Sequence, residues 1–523
     1  MVGGELSYHL LNSAVLTALV AMFVLWRYRV AVLEGMCRGD SVALPLPALR
    51  LRVDDRVEDA ATARLAWEKR LRRRTALAYL LTTLVCGLPL AFAYMYLSGK
   101  SISPALVFMY ALVYTFASAP MIAVSLALPP LRALGGLLLL TALLTALAVG
   151  GGLLQRALAG RPIGWQHLGL VPLFLQMAAN QLWMPALLWL LTWPPKMRGV
   201  APITFAGLLV FGLAPFVGTR FTASLAATEA ATPLVFKLGL HGMFMLIALP
   251  AGWLAWKRLH QVARDYEGKR FSDAQLLART WWVILVATVG LEMITAGSQA
   301  WLTLATCAAV VLAFGPVNRM LLRCTRPDAD RPPARTLLLL RVFGFTARTE
   351  RLFDRIGARW RLFGPVTMIA APDVAARTID PGDYLRGLTG RVDESVVTAR
   401  DDLDAKLVAL DMAPDPDGRY RVNEFCCRDN TWQATVVELM QRADAVVMDL
   451  RGVTREQHGC EFELQQLAQR LPPERLVLVA DAETDRALLD APFASRQSGV
   501  RVIDVQRTRH ADAVFEALLR AAG

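Results

Sequence analysis

The sequence has few cysteines, and their spacing fits neither a metal site nor a disulfide framework. Seven cysteines occur in 523 residues, with no CxxC pair and no Cys/His spacing of the zinc-binding kind. We therefore expect reduced thiols and no metal centre. The vicinal pair Cys426 and Cys427 is interpreted as part of a strand with one thiol on each face.

Glycine-rich phosphate-binding motifs are also missing. Neither GxGxxG nor GxxxxGK[ST] occurs, which excludes the dinucleotide fingerprint and the P-loop and leaves any cofactor unknown. A cleavable signal peptide is not expected either. Residues 8–26 are apolar but lack a basic n-region and a small-residue cleavage site, so they are predicted to be a first spanning helix.

Long apolar runs fill the first part of the chain. A run of roughly 20 residues can cross the ~30 Å hydrocarbon core as a helix, because its backbone polar groups are satisfied within the segment. We predict a polytopic α-helical membrane domain over residues 1–323, a linker over 324–335 and a soluble α/β domain over 336–523. Nine spans are predicted, at 8–26, 75–97, 104–128, 133–154, 167–193, 200–219, 233–256, 279–297 and 299–318.

The boundary between the last two predicted spans has two interpretations. Ser298 and Gln299 would form a very tight hairpin, which Gly290 and Gly297 would help to turn. The alternative is one long tilted helix with a re-entrant piece, which would change the parity of the spans.

The distribution of charge predicts the orientation in the membrane. Residues 1–334 hold 30 Lys and Arg against 15 Asp and Glu, whereas 335–523 hold 26 against 29. The excess lies in loops on one side of the spans, above all the loops 27–74 and 257–278, so positive-inside retention explains it without nucleic-acid binding. We expect a multi-pass inner-membrane protein with the N-terminus outside and the α/β domain in the cytoplasm.

Polar residues inside the predicted spans allow two interpretations. Lys237 and His241 share a face of the seventh span, and Glu292 lies at a similar depth in the eighth. They could mark a substrate or proton path, or form an ion pair that fixes helix packing. A transporter or channel with a regulatory tail is a further alternative, although we detect no inverted repeat of the kind found in many transporters.

The first cytoplasmic loop contains a predicted helix. Residues 55–74 have no glycine or proline and many helix formers, and they are expected to run into the second span. A helix lying on the lipid surface would need a cleaner apolar stripe than Val57, Leu65, Trp67 and Leu71 provide.

The C-terminal part alternates apolar strands with amphipathic helices. Strands are predicted near residues 336–342, 365–370, 445–450, 475–480 and 500–505, with a polar insertion over 372–430. This pattern predicts a doubly wound parallel α/β domain of about five strands. In such sheets the ligand crevice lies outside the carboxyl ends of the strands. Candidate residues there are Arg341, Phe343, Gly344, Asp449 and Gly459.

Two short segments carry a family resemblance. Residues 443–450 (ADAVVMDL) followed by 459–464 (GCEFEL) resemble the second half of nucleoside 2-deoxyribosyltransferases, and the architecture is similar to that of TIR domains. Arg341-Val-Phe343 and Trp432 match further positions of bacterial membrane proteins with TIR-like tails.

The resemblance implies a role for two residues. Glu463 falls on the catalytic glutamate of the family, where a carboxylate acts as nucleophile or stabilises an oxocarbenium-like transition state while an N-glycosidic bond breaks. Asp449 falls near an acid that binds ribose hydroxyls. The other interpretation of Glu463 is an acid at a helix N-terminus, stabilised by the helix dipole; Glu461 is expected to be solvated.

Together these observations predict a bacterial-type inner-membrane protein whose TIR-like domain binds a nucleotide or NAD in signalling or defence. It would act as an N-glycosidase or NAD hydrolase if it is an enzyme. The alternative is a non-enzymatic sensor or regulatory module on the membrane bundle. The membrane half would anchor the chain in the bilayer, form a homo-oligomer or act as a sensor.

Overall fold

The computed structural model describes the chain in several stretches, which form two compact units. The described residues are 19, 22–24, 26–37, 43–48, 60–126, 130–158, 160, 162, 250, 253, 257–258, 260–325, 331–341, 347–370, 385–386, 396–453, 458–494, 500–505 and 511–523. The first unit comprises Met1–Phe23, Arg72–Arg326 and Asp380–Gly382, and the second comprises Val24–Leu71, Pro327–Ile379 and Asp383–Gly523.

Six labelled helices belong to the membrane part of the chain. They are α1 (Ala60–Leu97), α2 (Pro104–Tyr114), α3 (Ala119–Ser125), α4 (Pro130–Leu158), α5 (Asp273–Thr295) and α6 (Ala300–Thr325). Within the described stretches, four of them, α1, α4, α5 and α6, are long and apolar enough to cross a membrane. They contain the predicted spans 75–97 and 133–154 and nearly all of 279–297 and 299–318. The predicted total of nine spans is not supported.

The remaining predicted spans have two different outcomes. The run 104–128 is broken, because a 3₁₀ turn at Thr115–Ser118 separates α2 from α3. Pro120 cannot donate a backbone hydrogen bond, and the hydroxyls of Thr115 and Ser118 donate back to the carbonyls of Leu112 and Thr115. All or nearly all of the predicted spans 8–26, 167–193, 200–219 and 233–256 lies outside the described residues.

The predicted hairpin between α5 and α6 is confirmed. The start of α5 is fixed by a capping box in which Ser272 and Gln275 exchange hydrogen bonds. At the other end Gly297 adopts φ 90°, a left-handed conformation that suits glycine. The Ser298 amide donates to the carbonyl of Met293 at 3.1 Å. One continuous helix through this point is therefore wrong.

The second unit contains a parallel sheet of seven strands. They are β1 (Leu337–Arg341), β2 (Val366–Ala370), β3 (Val396–Val397), β4 (Val422–Cys427), β5 (Ala445–Asp449), β6 (Leu476–Ala480) and β7 (Arg501–Asp504). Their order in the sheet is β3-β4-β2-β1-β5-β6-β7. The prediction of about five strands was too low, because the insertion 372–430 supplies β3 and β4. Cys426 and Cys427 lie in β4, as predicted for the vicinal pair.

Six further helices of the described residues accompany the sheet. The hydrophobic core forms two layers, one on each face of the sheet. The helices are α7 (Ala347–Trp360), α8 (Arg400–Val408), α9 (Trp432–Arg442), α10 (His458–Arg470), α11 (Arg486–Phe493) and α12 (Ala511–Ala521). Successive strand residues point to opposite faces. Leu338 and Val446 therefore join the first core layer, with residues of α8 to α11, whereas Leu337 and Ala445 join the second, with residues of α7 and α12. Burial on both faces explains why the central strands are continuously apolar.

The second core layer also includes part of the loop between the first two predicted spans. Trp67 and Leu71 of α1 are buried in it. The predicted helix over 55–74 is thus confirmed from Ala60 onward, and its apolar residues contact protein.

Candidate functional site

The sheet reverses its winding between β1 and β5. The next strand of the chain, β2, lies on one side of β1, and β5 lies on the other. Arg341 and Asp449, the last residues of β1 and β5, are register partners. A crevice outside the carboxyl ends of two strands at such a switch point is the usual ligand site of doubly wound folds. The side chain of Arg341, and both Phe343 and Gly344, lie outside the described residues.

Asp449 and Arg451 form a bidentate ion pair at this edge. Arg451 donates from Nε to Oδ1 of Asp449 at 2.8 Å and from Nη2 to Oδ2 at 2.6 Å. Asp449 is 2% exposed. Burial alone would lower the pKa of Arg451. The hydrogen bonds from Arg451 to Asp449 and the negative charges of Asp449 and Asp481 outweigh this effect and raise the pKa of Arg451 above its usual value. The carboxylate expected to meet ribose hydroxyls is therefore held by a neighbouring arginine.

A turn after β6 supports the loop that carries Arg451. The Asp481 carboxylate accepts hydrogen bonds from the amides of Gly452 and Glu483, both at 3.1 Å, and from the Thr484 hydroxyl at 3.0 Å. Gly452 adopts φ 71°, which favours glycine at this position. The sequence analysis did not identify Asp481 and Thr484, although an acid directly after an apolar strand is a usable signal.

Glu463 does not lie at the start of its helix. The helix α10 begins at His458, so Glu463 is in its second turn, while Glu461 is the acid of the first turn. Glu463 is 4% exposed, and Glu461 is exposed. The helix-dipole interpretation therefore fits Glu461 rather than Glu463. Gly459 is the second residue of the helix and does not precede it.

Two aromatic residues identified in the sequence are in contact. The rings of Trp432, at the start of α9, and Phe462, in α10, are edge to face with centroids 5.3 Å apart. Both are partly buried against the first core layer. This pair positions the beginning of α9 against the helix that carries Glu463.

Asp444, the acid of the resembling "AD" segment, lies at the opposite edge of the sheet. Its carboxylate accepts a hydrogen bond from the Thr336 amide at 2.7 Å and one from Arg335 at 3.3 Å. These bonds join the beginnings of β1 and β5. The role of Asp444 is thus structural.

A cavity of about 410 Å³ also lies at this amino edge. It is lined by Thr336, Thr367, Leu407, Val408, Leu410, Met412, Leu439, Gln441 and Arg442. Its position is the wrong one for a ligand of a doubly wound sheet, and its lining is largely apolar. We therefore place the candidate site at the carboxyl ends of β1 and β5.

The vicinal cysteines are not a reactive centre. Both thiols are buried. Burial raises the pKa of Cys427 to about 11, so its thiol stays protonated at neutral pH. Within the described stretches no cluster of three or more His, Cys, Asp or Glu residues could hold a metal ion.

The polar residues predicted inside the membrane are only partly described. Lys237 and His241 lie outside the described residues, so their pairing with Glu292 stays a prediction. Glu292 itself hydrogen-bonds with Tyr94, which accepts a hydrogen bond from Lys100 at 2.6 Å.

A buried polar chain that the sequence analysis missed joins three helices of the first unit. The Gln275 amide donates to Asn318 at 2.9 Å, and the Asn318 amide donates to the Thr82 hydroxyl at 3.1 Å. These bonds link α5, α6 and α1 and fit helix packing rather than a substrate path.

No family model matches the chain, and no curated protein or solved structure is significantly similar to it.

Proposed function

We propose that the second unit binds a nucleotide-like ligand at the carboxyl ends of β1 and β5, as part of a membrane-bound signalling or defence protein. The observation that carries the proposal is the switch point, where Arg341 and Asp449 end adjacent strands in register. The Asp449–Arg451 pair adds a cation and an anion at this edge, the groups that bind phosphates and hydroxyls.

Cleavage of an N-glycosidic bond is the chemistry that the resemblance suggests. Glu463 would be the reacting carboxylate, and the Trp432–Phe462 pair fixes the helix that carries it. The burial of Glu463 requires that ligand binding opens a path to it.

The test uses the full chain in detergent or nanodiscs, because residues 24–71 belong to the same unit as the sheet. The protein is incubated with NAD and with nucleosides, and free base is measured by chromatography. Glu463→Gln should lower the rate of base release by roughly a thousandfold. This factor corresponds to a rise of about 4 kcal/mol in the activation barrier, at ~1.4 kcal/mol for each tenfold. Glu461→Gln, two residues away and exposed, should keep the rate.

A non-enzymatic binding module is the second candidate. The observation that favours it is that Asp449 is paired and Glu463 is 4% exposed, so neither carboxylate faces solvent. In that case the wild type releases no base but binds NAD or a nucleotide in calorimetry, and Arg451→Gln weakens the binding. Absence of both release and binding would refute the two proposals together.

A further inference from the structure

The loop between the first two predicted spans contacts both faces of the sheet domain. Its first arm, residues 35–37 and 43–48 of the described chain, lies on the side of the first core layer. The Leu44 amide donates to the carbonyl of Asn430 at 2.9 Å, and its side chain packs on the core. Side chains of the sheet domain bind three carbonyls of this arm: Arg428 binds Gly35 at 3.0 Å, Arg470 binds Pro47 at 2.9 Å and Gln441 binds Ala48 at 2.9 Å.

The first arm crosses the two helices that carry the candidate site. Gln441 belongs to α9, which begins at Trp432, and Arg470 belongs to α10, which contains Glu463. Contacts at the far ends of these helices and at Asn430, just before α9, tie the pair together. Movement of this arm would therefore remove one set of contacts from both helices, while the Trp432–Phe462 pair remains.

The second arm is the beginning of α1, on the opposite face. Trp67 is 1% exposed and packs in the second core layer with Leu71. Glu68 accepts two hydrogen bonds from Arg359 of α7, at 3.1 and 2.9 Å. This arm is an amphipathic helix face seated in the domain core.

One residue of the second arm opposes this docking. Arg64 is 1% exposed, and among the described residues none forms a hydrogen bond with its three guanidinium nitrogens. Its charge interacts with Asp444, but also with the like charge of Arg335. A buried guanidinium without hydrogen bonds destabilises the state that buries it. An apolar side chain of similar size would fill the same space without this cost.

We infer that the described residues 35–37, 43–48 and 60–71 form a releasable clasp on the sheet domain, in which the apolar contacts of Trp67 hold the docked state and Arg64 keeps it close to release. The clasp opens as one device, because its two arms are joined in the chain and contact opposite faces of the same sheet. Its opening removes the contacts of the first arm with α9 and α10. The inference does not depend on what the candidate site binds.

Hydrogen exchange of the full chain, followed by mass spectrometry, tests the inference. Arg64→Met should slow exchange of residues 60–71 by at least tenfold, because the docked state loses its buried charge. Arg520→Met, an exposed arginine of α12 in the same unit, should leave this exchange unchanged. Faster exchange of 60–71 in Arg64→Met would show that Arg64 stabilises docking and would overturn the inference.

A second variant tests whether the arms open together. Leu71→Ala weakens the second arm without removing its indole, and it should accelerate exchange of both 60–71 and 43–48. If only 60–71 responds, the arms are independent and the clasp is wrong. Trp67→Ala should give the same pattern with a larger acceleration, and a response confined to its own arm would equally refute the clasp.

Discussion

The pair formed by Glu68 and Arg359 should lose stability unequally when each partner is removed. In Glu68→Ala the Arg359 guanidinium keeps its ion pair with Asp512, at 2.9 Å, and its position over the ring of Phe515, 3.8 Å from the centroid. The two charge-assisted hydrogen bonds between Arg359 and Glu68 are lost. We expect a decrease of about 1.5–3 kcal/mol in the free energy of unfolding of the second unit.

Arg359→Ala should lower the free energy of unfolding of the second unit more than Glu68→Ala does. It leaves the Glu68 carboxylate, whose side chain is 7% exposed, without its two Arg359 hydrogen bonds in a site that excludes water. Removing one partner of a buried ion pair typically costs about 3–5 kcal/mol. The double variant should lose less free energy of unfolding than the two single variants lose together. Once one partner has been removed, the other is already poorly solvated, so removing it as well costs little.

The free energies are measured by urea unfolding of the full chain in detergent. Hydrogen exchange of the β1 and β5 amides reports the unfolding of the second unit. Glu516→Ala, at an exposed acid on α12, is the control and should stay within about 0.5 kcal/mol of the wild type. Strict additivity, or equal losses from the two single variants, would refute the idea that this pair docks α1 on the sheet domain.

Three further outcomes follow from close contacts and charge. Gly364→Ala should lower the thermal midpoint of the second unit, because the new Cβ would lie 1.9 Å from the carbonyl oxygen of Arg335. Gly357→Ala is the control: its Cβ would meet no atom within 4 Å, so it should raise helix stability by about 0.5–1 kcal/mol. Gly290→Ala should destabilise the α5–α6 hairpin in detergent, because its Cβ would lie 2.8 Å from the sulfur of Cys307, and Gly136→Ala should not. A reporter fused after Gly523 should behave as cytoplasmic, and a periplasmic signal would show that the predicted orientation is wrong.

The sequence pattern predicted the central strands well because they are buried on both faces. All residues of β5 and β6 are buried, so β6 is a continuous apolar run and β5 is apolar up to Asp449. Only the end of β4, at Cys426 and Cys427, was predicted as strand, because the first half of β4 is only partly buried and contains Asn423 and Glu424. β3 has two residues, too few for any periodicity. Apolar runs thus report burial on both faces rather than strand conformation itself.

The location of the candidate site followed from strand order, but its contacts did not. Arg341 and Asp449 were placed at the same edge because parallel strands end together, and their register confirms this placement. The Arg451 pairing of Asp449 and the burial of Glu463 depend on side-chain packing that composition does not encode. Hydropathy also did not reveal that the predicted span 104–128 is interrupted by a 3₁₀ turn at Thr115–Ser118.

The docking of residues 43–48 and 60–71 on the sheet domain was invisible in the sequence for a different reason. The apolar face of α1 could be recognised, but its partner surface is remote in the chain. The sequence pattern showed only that the stripe was too thin for a lipid surface, which is consistent with its burial in protein.

The order of synthesis adds a constraint on how this chain folds. Glu68 and Arg359 are 291 residues apart, and Pro47 and Arg470 are 423 apart. At ribosomal rates of roughly 5–20 residues per second, the surface that receives Trp67 is completed tens of seconds after Trp67 itself has been made. During that interval the indole and Leu71 have no sheet to cover them. The second unit therefore cannot fold in simple N-to-C order, and a ribosome stalled before α12 leaves Trp67 and Leu71 without part of the core that covers them.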